Sequence, residues 1–84
     1  MAAETIDLAG LVRTLVEPIV DHPEDLKVEQ SLPAPDDILV EITVNEEDTG
    51  KVIGRQGRVI KAIRTLSRAA AVRTGEHVDV EIVE

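Results

Sequence analysis

Residues 52–60 read Val52-Ile53-Gly54-Arg55-Gln56-Gly57-Arg58-Val59-Ile60. Two glycines enclose a pair of long polar residues, and an aliphatic pair stands on either side. Glycine has no Cβ, so a Gly-x-x-Gly turn can be tight, can use positive φ and can let a ligand approach its main chain. The second glycine also opens a helix, whose unpaired N–H groups and dipole attract phosphate. With the charges of Arg55 and Arg58 beside it, the stretch is typical of a nucleic-acid backbone clamp.

The charge of the chain is unevenly distributed. Its formal net charge is −8, which taken alone argues against a nucleic-acid partner. Between Lys51 and Gly75, however, there are seven basic residues and no Asp or Glu. The rest of the chain holds only two basic residues against all 17 acidic ones, a balance of −15. This acid-free block indicates a focused electropositive site, and a solvated basic helix face is the alternative.

Composition limits the class of protein. We expect the 84 residues to form a single small domain over 1–84, with an aliphatic core because Phe, Tyr and Trp are absent. Without Cys there is no disulfide and no Cys-based zinc site. His22 has no second ligand at a suitable spacing, so we expect no metal and no cofactor. No apolar stretch is long enough to span a membrane, and residues 1–4 lack the pattern of a signal peptide, which favours a cytoplasmic protein with no membrane partner.

Periodicity predicts the order helix, strand, strand, helix, helix, strand. The predicted helices cover 5–20, 46–53 and 58–73, the predicted strands cover 26–30, 38–44 and 78–83, and the glycine turn covers 54–57. Pro18 predicts a kink or an early end in the first helix. Pro33, Pro35 and Asp36 are assigned to the turn between the first two strands. Asn45 or Asp48 is placed to cap the second helix.

The strand, helix, helix, strand order is a crossover that returns the last strand parallel to the second, whereas the hairpin before it is antiparallel. The sequence therefore predicts an α+β fold, a three-stranded mixed sheet covered on one face by three helices. The other face has no aromatic ring on which a base could stack. It carries acidic residues instead, namely Glu29, Glu41, Asp79 and Glu81. Any nucleic acid is thus expected at the glycine turn and away from that face.

A helical wheel divides the long helix into two faces. The core-facing set is Val59, Ile63, Leu66 and Ala70, and the outward basic set is Arg58, Lys61, Arg64 and Arg68. Gly75 is placed to stop this helix. Near its end, Ala71 and Val72 leave the core-facing side in the stretch Ala69-Ala70-Ala71-Val72, which is a candidate surface for self-association. Packing of the same residues under their own chain is the alternative.

The stretch 52–60 also matches the K-homology (KH) signature of an aliphatic pair, Gly-x-x-Gly and a further aliphatic pair, and the element order resembles the type II, bacterial arrangement of that fold. Over nearly its full length, including Asp21-His22-Pro23-Glu24-Asp25, the chain is similar to the small single-domain KhpA proteins of bacteria. The resemblance implies a cytoplasmic RNA-binding protein that lays about four single-stranded nucleotides across the turn. It also implies a homodimer or a heterodimer with a KhpB-like KH protein, and roles as an RNA chaperone and in cell shape.

Carried over to this chain, the resemblance places phosphates on Gly54, Arg55, Gln56 and Gly57 and a groove beside the flanking aliphatic pairs. With its neighbours, the candidate RNA-binding set is Lys51, Ile53, Gly54, Arg55, Gln56, Gly57, Arg58, Ile60 and Lys61. Ile53 and Ile60 have core packing as an alternative role. Arg64 and Arg68 are expected to contribute only a long-range field. Without aromatic rings we expect modest affinity and weak sequence preference.

Three other classes of protein compete with this interpretation. A helix-turn-helix DNA-binding protein also has a glycine-containing turn before a basic helix, but two glycines and flanking strands suit a phosphate cradle better. A protein-interaction module with a KH fold would not need the basic turn. An enzyme is least favoured, because the chain has no Gly-x-x-x-x-Gly-Lys-Ser/Thr loop and its Ser and His residues form no triad pattern.

Overall fold

The computed structural model describes residues 6–83, and its elements follow the predicted order. The helices are α1 (Leu8–Val16), α2 (Thr49–Ile53) and α3 (Arg58–Ala71), and the strands are β1 (Lys27–Ala34), β2 (Asp37–Thr43) and β3 (His77–Val83). Short 3-10 turns cover Pro23–Asp25, Glu46–Asp48, Arg55–Gly57 and Val72–Thr74. No helix within this part of the chain has both the length and the apolar character that crossing a bilayer requires.

The three strands form a mixed sheet in the order β1-β2-β3. β1 pairs with β2 antiparallel, and β2 pairs with β3 parallel, so the predicted crossover and the α+β fold class are confirmed. Every second residue of the central strand is buried, as its alternating sequence predicts, and these are Ile38, Val40 and Ile42. β3 is an edge strand, which matters for the site because one side of its backbone has no strand partner among residues 6–83.

The core lies between the sheet and one layer of helices. It is entirely aliphatic, and its buried members are Leu8, Val12, Val16, Val20, Leu26, Ile38, Val40, Ile42, Val52, Ile60, Ile63, Ala71, Val78 and Val80. On the opposite face of the sheet Glu29 pairs in register with Glu41, and Glu41 with Glu81. One face is therefore apolar and covered, and the other carries a row of carboxylates.

The first helix is shorter than the predicted 5–20. The side chain of Asp7 caps it by accepting a hydrogen bond from the N–H of Gly10 at 2.9 Å, and the helix ends at Val16, two residues before Pro18. The early end is the effect expected of Pro18, because proline has no N–H to continue the helical hydrogen bonds. Glu17 itself keeps helical dihedral angles, φ −53° and ψ −43°, and its N–H donates to the carbonyl oxygen of Arg13 at 2.8 Å, so the predicted loss of helical geometry at Glu17 is wrong. The predicted start at Thr5 lies outside the described residues.

The hairpin also differs from the prediction. β1 extends from the predicted 26–30 to Ala34 and includes Pro33, so the turn contains only Pro35 and Asp36. Proline is tolerated there because β1 is an edge strand with an irregularity between Ser31 and Ala34, and a missing N–H donor then costs no ladder hydrogen bond.

The buried face of α3 was predicted incorrectly. Leu66, assigned to the core, is 48% exposed, whereas Ser67 and Ala71 are fully buried. The Ser67 hydroxyl donates to the carbonyl oxygen of Ile63 at 2.7 Å, so its polar group is satisfied without water. A helical wheel that ranks residues by hydrophobicity rejects a serine, although a serine whose hydroxyl is bonded to its own helix can be buried. Of the two residues with open alternatives, Ala71 packs in the core of its own chain and Val72 projects outward.

The predicted helix 46–53 consists of two parts. A 3-10 turn over Glu46–Asp48 precedes α2, and the side-chain oxygen of Asn45 caps it by accepting from the N–H of Glu47 at 2.8 Å. Asp48, the other candidate cap, makes no capping hydrogen bond to its own helix. Its carboxylate turns instead toward the loop that follows α1.

Candidate nucleic-acid interface

The turn that joins α2 to α3, hereafter the GxxG turn (residues 54–57), is built on three positive φ angles. These are 78° at Gly54, 57° at Gln56 and 74° at Gly57. The N–H of Gly57 donates to the carbonyl oxygen of Gly54 at 3.1 Å and closes the turn. Positive φ is rare for a residue with a side chain, so Gln56 holds an unusual conformation at the tip of the loop.

The two glycines are required for different reasons. A Cβ on Gly54 would lie 2.4 Å from Cγ2 of Val59 and 2.8 Å from the Val59 nitrogen, so both close packing and positive φ exclude a side chain. A Cβ on Gly57 would meet nothing closer than Cγ2 of Ile60, at 3.9 Å. Gly57 is therefore needed for its φ angle alone, and the space that its side chain would occupy is open.

The arginines of the turn and the cations of α3 have no carboxylate partner among the described residues. Arg55, Gln56 and Arg58 are exposed, and Nη2 of Arg58 donates to Oε1 of Gln56 at 3.1 Å. Within residues 6–83 no carboxylate forms an ion pair with Arg55, Arg58, Lys61, Arg64, Arg68 or Arg73. Elsewhere the cations are paired, as Arg13 is with Glu17 at 3.2 Å. The positive potential of this surface is thus available to an outside anion.

Lys51, another candidate phosphate contact, is in a different state. Its ammonium group bonds to the Asp21 carboxylate and lies 3.7 Å from Oδ1 of Asp48. The hydrogen bond to Asp21, with the charges of Asp21 and Asp48, raises the pKa of Lys51 against a smaller opposing effect of desolvation. An RNA phosphate would have to compete with Asp21 for this side chain.

The two isoleucines beside the turn differ in exposure. Ile53, at the end of α2, is 39% exposed, whereas Ile60 is 7% exposed and belongs to the core. Both line the same end of a groove, together with Ile82 of β3. Ile53 thus offers an apolar surface to a ligand, and Ile60 forms part of the floor beneath it.

An open groove runs from the GxxG turn between α3 and the free edge of β3, and we call it the α3–β3 groove. Its apolar end is lined by Ile53, Ile60 and Ile82, and its polar end by Lys61, Arg64, Thr65, Arg68, Asp79, Val80 and Glu81. One wall is therefore basic and belongs to α3, and the other consists of edge-strand backbone with two carboxylates. Such a pair of walls can receive phosphates on one side and base edges on the other.

Arg64 and Arg68, for which the sequence predicts a long-range field, also line this groove. Nε of Arg64 donates to the carbonyl oxygen of Val80 at 3.1 Å, and Nε of Arg68 to that of Val78 at 3.3 Å. Both carbonyls lie on the unpaired edge of β3. A signal was present, because a parallel crossover brings the last strand beneath the helix that precedes it, and the basic residues repeat at helical spacing.

A Gly-x-x-Gly turn between two helices, beside an edge strand of a mixed sheet in this connection order, defines a KH domain of the type II arrangement. The family model for the KH domain of KhpA/KhpB matches residues 9–82. The chain therefore belongs to the KhpA/KhpB family of KH domains.

Several curated relatives are similar over most of this chain. A protein of Clostridium perfringens is 47% identical, and the alignment covers 87% of this chain and 96% of that protein. A protein of Caldanaerobacter subterraneus is 44% identical, with 90% of this chain and 100% of that protein covered. A protein of Bacillus subtilis is 43% identical, with 92% of this chain and 94% of that protein covered. Each is described as the RNA-binding protein KhpA. The family is thus one of RNA-binding proteins and not of enzymes, as the sequence led us to expect.

Solved structures support the fold. A point variant of Aquifex aeolicus Era bound to GDP·AlF4⁻ aligns with a TM-score of 0.56 at 19% identity. Era in complex with MgGDPNP and nucleotides 1506–1542 of 16S ribosomal RNA aligns with a TM-score of 0.55 at 18% identity. The alignments cover 99% of this chain but 34% and 37% of those proteins, so the chain spans about a third of their length. At this identity the likeness concerns the fold alone.

Proposed function

We propose that this chain binds single-stranded RNA across the GxxG turn and along the α3–β3 groove. The observation that carries the proposal is the set of exposed cations around the turn, none of which pairs with a carboxylate within residues 6–83. The RNA-binding description of the KhpA relatives supports RNA as the ligand.

Phosphates lie over the turn in this proposal. The missing side chain at Gly57 leaves its main chain open, and the first N–H groups of α3 point toward the same place. Arg55, Arg58 and Lys61 supply full charges, and Arg58 also holds the Gln56 side chain. The bond between Arg58 and Gln56 fixes the tip of the loop before RNA arrives, which lowers the entropy lost on binding.

Bases lie in the groove, turned toward β3. With no aromatic ring to stack on, they contact the exposed aliphatic surface of Ile53. The backbone of β3, an edge strand that faces the groove, offers hydrogen-bond partners to the edges of bases. These contacts are few, so the affinity of one domain is modest and its sequence preference weak.

The direct test is a double variant, Arg55→Asp with Gln56→Asp. Both side chains are exposed, so the fold stays intact while two anions oppose the phosphates. We expect RNA affinity to fall by about 100-fold or more, equivalent to about 2.7 kcal/mol. Fluorescence anisotropy with a labelled single-stranded RNA measures this, and circular dichroism checks the fold.

The matched control is Lys27→Asp with Ser31→Asp, which makes the same change in formal charge on the exposed side of β1. We expect its RNA affinity to change by less than about threefold, since the added charges lie away from the turn. A folded turn variant that binds RNA like the wild type would contradict the proposal.

We further propose that the working unit is a pair, either two copies of this chain or this chain with a KhpB-like KH protein. A stripe on the outer side of α3 supports this, formed by the exposed residues Ala62, Leu66, Ala69 and Val72. Leu66 is 48% exposed and Val72 is 74% exposed, and the alanines between them allow another helix to approach closely. Two linked RNA sites bind with an avidity roughly 10² or more above that of one.

Sedimentation of the wild type and of Leu66→Glu tests the pair. We expect the wild type to self-associate, or to associate with a KhpB-like protein when that is supplied, and the variant to do neither. Val83→Glu is the control, because Val83 is also exposed but lies on the sheet. A wild type that stays monomeric with either partner at micromolar concentration would overturn the paired unit.

From the family resemblance we also infer an RNA chaperone that acts in the cytoplasm and contributes to the control of cell shape. Crosslinking in cells, followed by sequencing of the bound RNA, tests the part of this inference that concerns RNA binding in the cell. Enrichment of messenger or regulatory RNA that is lost in the turn variant is the expected result. Equal recovery by both proteins would contradict it.

A further inference from the structure

Asp48 is a buried charge that the proposed RNA contacts do not use. Its side chain has 0% exposure, and it is the one buried acidic or basic residue among residues 6–83. Oδ1 accepts from the N–H of Asp21 at 3.0 Å, and Oδ2 accepts from the N–H of His22 at 2.9 Å. Both carboxylate oxygens therefore bind the main chain of the loop after α1.

The place of Asp48 in the fold gives these bonds a consequence. α2 has only five residues and follows a 3-10 turn, so it is too short to be stable or to fix its own direction. Within it only Val52 is buried. Asp48 ties the beginning of α2 to the loop after α1, and the other end of α2 leads directly into the GxxG turn.

His22 adds a titratable group to this attachment. Its Nε2 lies 2.8 Å from Oε1 of Glu47, and its Nδ1 lies 3.6 Å from Oε2 of Glu24. Desolvation lowers the pKa of His22, but the hydrogen bond to Glu47 and the charges of Asp48, Glu47 and Glu24 together outweigh it and raise the pKa above its ordinary value. The charged groups around it are Asp21, Glu24 and Asp25 from its own loop and Glu47, Asp48 and Lys51 from the facing element.

We call Asp48 and the groups around it the Asp48 anchor, which consists of Asp21, His22, Glu47, Asp48 and Lys51. We propose that this anchor positions the GxxG turn and that protonation of His22 strengthens RNA binding through it. The inference rests on the proposed RNA-binding function. Asp48 and His22 are positioning residues here, since neither is placed against the RNA.

The direction of the effect follows from the charges. When His22 is neutral, the acidic groups around it face Lys51 as the only cation of the anchor. Protonation adds a positive charge and makes both ring nitrogens donors, which holds Glu24 and Glu47 together and reduces the negative field near the turn. RNA affinity is therefore highest below the pKa of His22 and falls as pH rises through it. One charge at the far end of α2 should change affinity by about threefold.

The experiment measures binding of a labelled 12-nucleotide single-stranded RNA between pH 5.5 and 8.5. The wild type should lose affinity about threefold as pH rises, and His22→Gln, which keeps a donor for Glu47 but does not titrate, should show a flat profile. His77→Gln is the matched control, because His77 is the other histidine of the chain and lies at the start of β3, and it should keep the wild-type profile.

Glu47→Gln separates positioning from general stability. Removing this partner lowers the pKa of His22, so the midpoint of the binding profile should move to lower pH together with the His22 ring signals in NMR spectra. Asp48→Asn should weaken binding about tenfold at pH 6 and shift the amide signals of Gly54 and Gly57. Because His22 is half-buried and Glu47 is exposed, their variants keep the test decisive even if Asp48→Asn unfolds.

The outcomes distinguish this inference from the function on which it rests. If the wild type binds RNA and the double turn variant does not, but wild type and His22→Gln share one pH profile, the role of the anchor is wrong and the RNA site stands. If the turn variant binds RNA as well as the wild type does, the proposed function itself fails.

Discussion

The two ends of α2 use charge in opposite ways. Near its beginning charged groups are paired: Asp48 accepts two backbone N–H groups, His22 bonds to Glu47, and Lys51 bonds to Asp21. At its other end Arg55 and Arg58 have no carboxylate partner in residues 6–83. Both ends are rich in charge, but one end uses it to hold the fold and the other leaves it available.

The difference shows why the net charge of −8 misleads. No acidic residue lies between Lys51 and Gly75, a stretch that contains the turn and α3. Several acidic residues belong instead to the Asp48 anchor, and others stand on the open face of the sheet. On that face the row of Glu29, Glu41 and Glu81 repels a polyanion. An acidic chain can thus present one basic path, and RNA is guided to it by attraction on one side and repulsion on the other.

The largest effect is expected from breaking the turn itself. Gly54→Ala should destabilise the fold by about 3 kcal/mol or more, because the new Cβ would lie 2.4 Å from the Val59 side chain at a φ of 78°. Gly57→Ala should cost only about 1 kcal/mol, since its Cβ would meet open space. Urea unfolding of both variants measures the difference, and equal losses would show that the packing of Gly54 on Val59 is unimportant.

Salt should separate the open end from the paired end. In a plot of log affinity against log salt concentration, each phosphate of a single strand that the protein neutralises contributes a slope of about −0.7. With two to four such contacts, RNA affinity should fall by roughly 7- to 50-fold between 50 and 200 mM salt. The Asp48 anchor is internal, so the unfolding free energy should change far less over the same range. RNA affinity that ignores salt would rule out phosphate contacts at the turn.

Acid should reveal the anchor in the stability of the fold. Burial raises the pKa of Asp48, but the N–H groups of Asp21 and His22 and the charges of His22 and Lys51 outweigh it, so the pKa is lowered. The stabilisation is therefore present above about pH 4 and lost as pH falls through the folded-state pKa. Between pH 5 and pH 2, the free energy of unfolding should fall less for Asp48→Asn than for the wild type.

The control for this acid titration is Asp79→Asn, on the exposed side of β3. It should keep the acid sensitivity of the wild type. If Asp48→Asn and the wild type lose stability in parallel, the carboxylate does not act as the acid-sensitive anchor.

The smallest effect is expected on the acidic sheet face. Glu41→Lys should stabilise the fold by roughly 0.5 kcal/mol, because Glu41 lies between Glu29 and Glu81 and like charges in register repel. RNA affinity should change by less than about twofold. Asp37→Lys makes the same charge change opposite Ala34 and His77, and it should not stabilise the fold. Equal stabilisation by both would mean that only net charge matters.

The sequence predicted those parts of the fold that depend on local patterns. Alternation in β2 and β3 and the crossover between them follow from short-range rules. The turn does too, because two glycines three residues apart between aliphatic pairs favour a tight turn with positive φ. The face of α3 was predicted incorrectly because hydrophobicity alone does not show that the hydroxyl of Ser67 can bond to Ile63 and be buried.

The Asp48 anchor was beyond sequence reasoning for a different reason. Its hydrogen bonds join residues 26 and 27 positions apart, and no periodicity links Asp48 to Asp21 or His22. The acidic residue just before a helix indicated a cap, which is the commoner use of such a residue. Only the packing of the loop after α1 against α2 shows that its carboxylate binds another segment.

The central claim, that RNA occupies the turn and the groove and avoids the sheet face, is tested most directly by NMR. Titration of the labelled protein with single-stranded RNA should shift the backbone amide signals of Gly54, Gly57, Arg64 and Val80 first, and leave that of Glu29 unchanged. Shifts confined to the sheet face, with the signals of the GxxG turn unmoved at saturation, would contradict the account.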